Sequence, residues 1–361
     1  MKVDNYSLGP MHTKNYLLIS CVIFFSFATS HGLAGEPLSP IWALQFSPDG
    51  KMLAVGKYQW VELWDLETQA VIHTYEPHAG EVRCLKFSDV GAFSASRSNQ
   101  SPPLMLYASG GVAAQSGEIR IWDVASVERI KTLDIHGDTI ESIAISPDNT
   151  RLLTASMDEY SAVINLAQYD DTTPIDVQAK WLTQHVGRVL CTLYHPDGTY
   201  FVTGSEDKTI KVWHPEDYTV LVNFDGNDDA VYSLAYATQN NLIVSGSADS
   251  VIRSWRVTQN EEGETRGALV RQYTAHEGAV YSVDCGVLNT QEIIASGGAD
   301  TSVIIWNLRS GNPHSTFNEP TDAVYAVQLS PNGESVAAGG RDGKVRLWNL
   351  RTGTLIHELT E

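Results

Sequence analysis

Tryptophan recurs in this chain at the end of a short β-branched run, and that recurrence restricts the fold more than any other feature. The runs "VELWD", "EIRIWD", "TIKVWH", "VIRSWR", "SVIIWN" and "KVRLWN" carry Trp64, Trp122, Trp213, Trp255, Trp306 and Trp348. A seventh run, "SAVINL", sits between the second and third with Asn165 in the tryptophan's place. The shortest spacing is 42 residues, and the longer ones are that unit plus inserts. Within a unit the signals are β throughout. Around 279–318, "AVYSVDCG", "QEIIASGG", "SVIIWNL" and "PHSTFN" read as four strands. Turns such as "SPDG", "HPDG" and "SPNG" separate strands, because Pro presets the second turn position and Asp or Asn with Gly suits the next two. Four short strands per unit, repeated without helical periodicity, predict the blades of an all-β propeller. Innermost strands are expected near 41–47, 81–88, 139–146, 188–195, 230–237, 279–286 and 323–330.

These residues resemble the WD-repeat family over 41–361, which implies one seven-bladed β-propeller with four antiparallel strands per blade. In that family a His at the turn before the first strand, a hydroxyl on the second, an Asp in the next turn and a Trp on the third form a hydrogen-bonded chain. The resemblance places complete sets at His185, Thr203, Asp207 and Trp213, and at His276, Ser296, Asp300 and Trp306. A buried indole needs an acceptor and the acid needs donors, so the role implied is structural. Other units depart from the set. The third has His136, Thr154 and Asp158 but Asn165; the fifth has Asn227 for the His. The seventh has Pro320 and Ala338 beside Asp342 and Trp348, and the second has His78 and Trp122 without a clear Asp. Such blades are expected to rest more on apolar packing between sheets than on a polar chain. The first unit begins with an innermost strand and the last ends with an outermost one, so the ring is expected to close by packing alone.

Residues 1–34 read as a signal peptide and processing region, followed by a linker at 35–40. Lys14 precedes the uncharged run "YLLISCVIFFSFA", too short to span a bilayer comfortably but suited to a signal core. Cleavage is expected after Ser30 or Ala34, with the start at Met1 or Met11, and no stable membrane span after cleavage. A net charge of −19 argues against nucleic-acid binding, which needs a basic footprint. Beyond the signal, Cys84, Cys191 and Cys285 stand singly in apolar strands and read as buried thiols. No cofactor or metal motif and no paired nucleophile and base is present, so no catalytic, cofactor-binding or metal residue is assigned.

Specificity is sought where the units differ. Inserts lie at Asp89 to Pro103, Val112 to Gly117, Tyr169 to Gln178 and Gln259 to Ala268. The first, third and fourth fall in loops that share one face of the disc. Candidate partner-binding residues are therefore Phe93, Arg97, Tyr169, Asp170, Asp171, Glu261, Glu262, Glu264 and Arg266. The acidic, glycine-containing 259–268 loop is expected to be mobile in the free chain. Two readings follow. The first is an exported, non-catalytic propeller that scaffolds other protein subunits. The alternative is a propeller enzyme or electron-transfer protein with a cofactor in its central channel. The overall character is similar to the β subunits of hydrazine synthases from anaerobic ammonium-oxidising bacteria. That resemblance implies haem-bearing partner subunits, on which nitric oxide and ammonia are joined, and a periplasm-like compartment, the anammoxosome lumen.

Overall fold

Seven antiparallel sheets follow one another along the chain, each built from four consecutive strands paired in sequence order. This computed structural model describes residues 39–88, 104–166 and 178–359. By internal contacts the chain divides into Met1–Pro37 and Leu38–Glu361, and every described residue belongs to the second unit. The signal region and Phe93, Arg97, Tyr169, Asp170 and Asp171 lie outside the described residues.

The innermost strands are Ala43–Phe46, Glu81–Ser88, Ile140–Ile145, Val189–Tyr194, Val231–Ala237, Val280–Leu288 and Val324–Leu329. All seven fall where the repeat phase puts them. The second strand of each blade, such as Phe201–Ser205, is apolar and buried on both faces, because a neighbouring blade covers each side. The outermost strands, such as Ala70–Thr74, are largely exposed at the rim. The core therefore lies between blades. Val61, Leu63 and Tyr75 of the first blade pack with Val82, Leu106 and Trp122 of the second. Each fully buried Leu or Phe side chain stabilises the fold by about 1.5–3 kcal/mol.

Ring closure follows the same rule. Ile41, Leu53 and Trp64 of the first blade pack with Ala337, Val345 and Leu347 of the seventh. The Ile41 N–H donates to the Gly340 carbonyl at 2.9 Å. Gly339 permits this approach, since a Cβ there would come within 2.6 Å of the Ile41 side chain. The seventh sheet takes all its strands from 324–359, so no strand is lent from the other end.

Candidate functional site

In the fourth blade the indole Nε1 of Trp213 donates to Thr203 Oγ1 at 2.8 Å. Thr203 Oγ1 lies 2.8 Å from His185 Nε2, and His185 Nδ1 lies 2.8 Å from Asp207. The sixth blade repeats this through Trp306, Ser296, His276 and Asp300, at 2.8, 2.7 and 2.9 Å. In each chain the indole N–H donates to the hydroxyl oxygen, the hydroxyl meets Nε2, and Nδ1 faces the carboxylate. Each Asp also accepts backbone N–H groups from the inter-blade link and from its own turn, Val186 and Thr209 for Asp207, Glu277 and Ser302 for Asp300. Burial would raise the Asp300 carboxyl, but its bonds to His276, Glu277 and Ser302 outweigh that and hold it at about 2. Asp207 is lowered by the same balance of burial against His185, Thr209 and Val186. These chains tie the link between blades to the turn before the third strand.

The incomplete blades hold polar chains that the family pattern does not mark. In the seventh blade Arg346 replaces the missing His, its guanidinium 2.7 Å from Asp342. In the fifth, Arg253 meets Asp249 at 2.8 Å, and Trp255 donates to Ser245 at 2.9 Å. Both arginines stand two residues before the tryptophan, where the His-bearing fourth and sixth blades carry Lys211 and Ile304. Sequence alone could not single them out, because the second blade has Arg120 at the same offset and still keeps His78. In the second blade Glu118 takes the acid's place, 3.0 Å from His78, and in the first Glu62 accepts from Trp64 at 3.0 Å. These blades thus carry polar contacts of their own beside the apolar packing expected to dominate them. Ala108 and Ala338 occupy the hydroxyl position, and there the indoles of Trp122 and Trp348 find no acceptor among the described residues. The third blade corrects the register as well. Leu152 pairs with Ile164, as Phe201 pairs with Trp213, so Ile164 and not Asn165 holds the tryptophan's place. The aromatic there comes from the fourth strand, where Trp181 meets His136 edge-on at 5.2 Å.

A second arrangement lies at the channel, a cavity of about 390 Å³. Near the start of each innermost strand one side chain lines it: Trp42, Arg83, Glu141, Leu190, Tyr232, Tyr281 and Tyr325. In blades two to seven this residue is skipped by the ladder, as where Val231 pairs with Ser247 and Ser233 with Gly246. Each is the extra residue of a β-bulge, a device that re-aims a side chain out of the sheet's alternation. Together they form a collar. Trp42 stacks on Tyr325 at 4.5 Å, Tyr325 meets Tyr281 at 5.5 Å, and Tyr281 meets Tyr232 at 5.4 Å. The Arg83 guanidinium sits 4.4 Å over the Trp42 ring and 3.1 Å from Glu141. Burial pushes the Tyr232 phenol up to about 12, with the fields of Tyr281, Asp229, Glu206 and Glu141 adding to it. Sequence reading missed the collar because a bulge leaves no mark in the alternation of apolar residues.

On the opposite face, 259–268 forms a paired hairpin instead of an irregular loop. The third and fourth strands of the fifth blade, Ile252–Gln259 and Thr265–Tyr273, continue their ladder out to the pair Gln259 and Thr265. The tip is closed by Asn260 Oδ1, which accepts from the Glu262 and Glu264 N–H groups, and by Gly263 at a φ of 83°. Gly267 lies against the fourth blade, where a Cβ would come within 2.3 Å of Phe224. Local acidity was the wrong guide, since the hairpin is held by its own turn and by a neighbour. Glu261 and Glu262 lie at its exposed tip, and Glu264 pairs with Arg266 at 2.7 Å. The 112–117 insert is likewise a tight hairpin, between Val112 and Ser116, and lies on the collar face. Cys84, Cys191 and Cys285 are free thiols on alternate blades.

Comparison with known proteins adds the family. Its model, described as WD domain, G-beta repeat, matches residues 28–65, 69–123, 127–160, 177–214, 218–256, 267–307 and 311–349. Pre-mRNA-processing factor 19 of Mus musculus is 26% identical over 212 residues, 58% of this chain and 38% of that protein. A guanine nucleotide-binding protein subunit beta of Oryza sativa subsp. japonica is 24% identical over 220 residues, 58% of this chain and 55% of that one. A ribosome biogenesis protein WDR12 homolog of Nematostella vectensis is 26% identical over 316 residues, 80% of this chain and 71% of its own length. The chain thus spans only 38% and 55% of the first two. Seven matched segments, in step with seven four-stranded blades, make this chain a member of the WD domain, G-beta repeat family.

Proposed function

We propose that the chain is an exported, non-catalytic propeller subunit that scaffolds a multiprotein complex. WD-repeat propellers bind other proteins, and this chain keeps that architecture through all seven blades. The observation that carries the reading is how its polar residues are used. The histidines and acids at the blade links are held in chains that tie links to turns, while the channel collar and the exposed tip of the fifth-blade hairpin take no part in those chains. Among the described residues no group of His, Cys, Asp and Glu is placed to hold a metal ion. Export rests on the charge-free apolar run at 16–28 and the small residues after it. The finer reading is the β subunit of a hydrazine synthase, with haem and the joining of nitric oxide to ammonia on partner subunits.

Absorption spectroscopy tests the division of labour. The isolated chain should be colourless in the visible, while the complex drawn from native cells carries the partners' chromophore. A visible chromophore on the isolated chain would favour a cofactor in the channel and sink the scaffold reading. Intact mass of the native chain tests export, with a start at His31 or Gly35 expected and an uncleaved leader contradicting it.

A further inference from the structure

The outermost strand of each blade carries an edge of backbone N–H and C=O groups, and a bulge blunts that edge in six of the seven blades. Beside the tryptophan the ladder skips Ile72, Ile130, Leu221, Val270, His314 or Ile356. In five of these blades at most two pairs lie beyond the bulge, as with Val71 and Ala70 in the first. In the fifth blade five pairs do, from Trp255 with Leu269 to Gln259 with Thr265. Residues 265–269 are therefore an unbulged edge, and among the described residues no strand pairs with its outer side.

The same register puts three arginines on one face of the hairpin. Ser254 pairs with Arg271, Arg256 with Ala268 and Thr258 with Arg266, and alternate residues of a strand share a side. All three arginines are exposed. Arg271 marks the side facing the sixth blade, since a Cβ on Gly311 there would come within 2.8 Å of it. Neither strand of the hairpin holds an acidic residue. Glu264 at the tip takes Arg266 at 2.7 Å, while among the described residues Arg256 and Arg271 meet no carboxylate. Charges more than about 8 Å away are largely screened at physiological salt, so these arginines and not the overall charge set the local sign.

We propose that this edge receives an extended, carboxylate-bearing segment of a partner protein as a fifth strand of the blade, its acidic side chains on the face of Arg256 and Arg271. Main-chain pairing along 265–269 supplies the affinity, and the arginines select the segment. A second copy of this chain is a poor occupant, because it brings the same arginines to the edge and a further charge of −19. The proposal rests on the scaffold reading and names the chemistry of one contact within it.

The probe is a decapeptide alternating threonine and glutamate, compared with one carrying glutamine for glutamate and with one N-methylated at its four central residues. Amide hydrogen exchange of the full chain, read by mass spectrometry, reports on the edge. The glutamate peptide should slow exchange within 265–269, which a purely electrostatic contact would not do. The glutamine peptide should bind about 10-fold more weakly, and the N-methylated one should give no protection. Arg256→Gln with Arg271→Gln should bring the glutamate peptide down to the affinity of the glutamine one. Should that double variant fail to fold, the three peptides on the unmodified chain decide the matter. Equal binding of glutamate and glutamine peptides, protection by the N-methylated peptide, or no protection of 265–269 at millimolar peptide would each overturn the proposal. Protection of 265–269 that grows with the concentration of the chain alone would make a second copy the occupant and overturn it too. If the double variant still captures native partners while the glutamate peptide fails, the edge site falls and the scaffold stands. If the unmodified chain captures none, the scaffold reading itself fails.

Discussion

Asp300 is half of a linkage experiment. Its carboxyl titrates near 2 in the folded chain against an ordinary 3.8, so the folded pKa is depressed. The stability it contributes is fully present above about pH 4 and is lost as pH falls through about 2, in total about 2 kcal/mol. Asp300→Asn should therefore lower stability by about that amount at neutral pH and flatten the acid limb between pH 4 and 2. Urea melts across that range check both. The alanines give a prediction of opposite sign. Ala338→Ser places a hydroxyl where Ser296 stands in the sixth blade, within reach of the Trp348 indole, and should stabilise the chain by about 0.5–1.5 kcal/mol. A thermal midpoint that falls would refute the equivalence of the two positions. At this scale the complete sets were legible, because His, hydroxyl, Asp and Trp each carry a distinctive offset. Arg253 and Arg346 were not, since a lone arginine on an apolar strand declares no partner. Asn165 was misplaced by one residue because "SAVINL" lacks the aromatic that anchors register in the other units.

Strands and turns were read from alternation and turn chemistry, and the seven innermost strands fall in their expected windows. What alternation cannot show is a departure from it. The bulges that build the collar add one residue without changing composition, so only the paired register exposes them. The fifth-blade hairpin was misjudged for a different reason. Its acidic residues suggested an unsupported loop, while Gly267 against Phe224, a tertiary contact, decides its position. The hairpin therefore divides into two parts with different roles. Gly267→Ala should destabilise the propeller by about 1–3 kcal/mol, because Phe224 is also packed on Trp255 and cannot easily give way. Replacing Asn260–Glu264 by an Asn-Gly turn should leave the thermal midpoint nearly unchanged and weaken assembly of the complex. If the shortened hairpin assembles as well as the original, its face is not a docking surface.

For the molecule as a whole, repetition explains the ring and the exceptions to repetition carry what is particular to it. Each blade covers its neighbours, Ile41 and Gly339 close the circle, and the polar chains of the blades turn inward to hold turns and links. That leaves a collar of aromatic and charged side chains on one face and an extended hairpin on the other, in a chain of strongly acidic charge. The central claim is that such a molecule works by holding other proteins. Purification of the chain from its native cells under gentle conditions, with the particle mass and every co-eluting chain determined, tests this most directly. A stoichiometric particle well above the 39.6 kDa of even the uncleaved chain is expected, with other subunits in constant ratio. A solitary monomer with turnover of its own would contradict it.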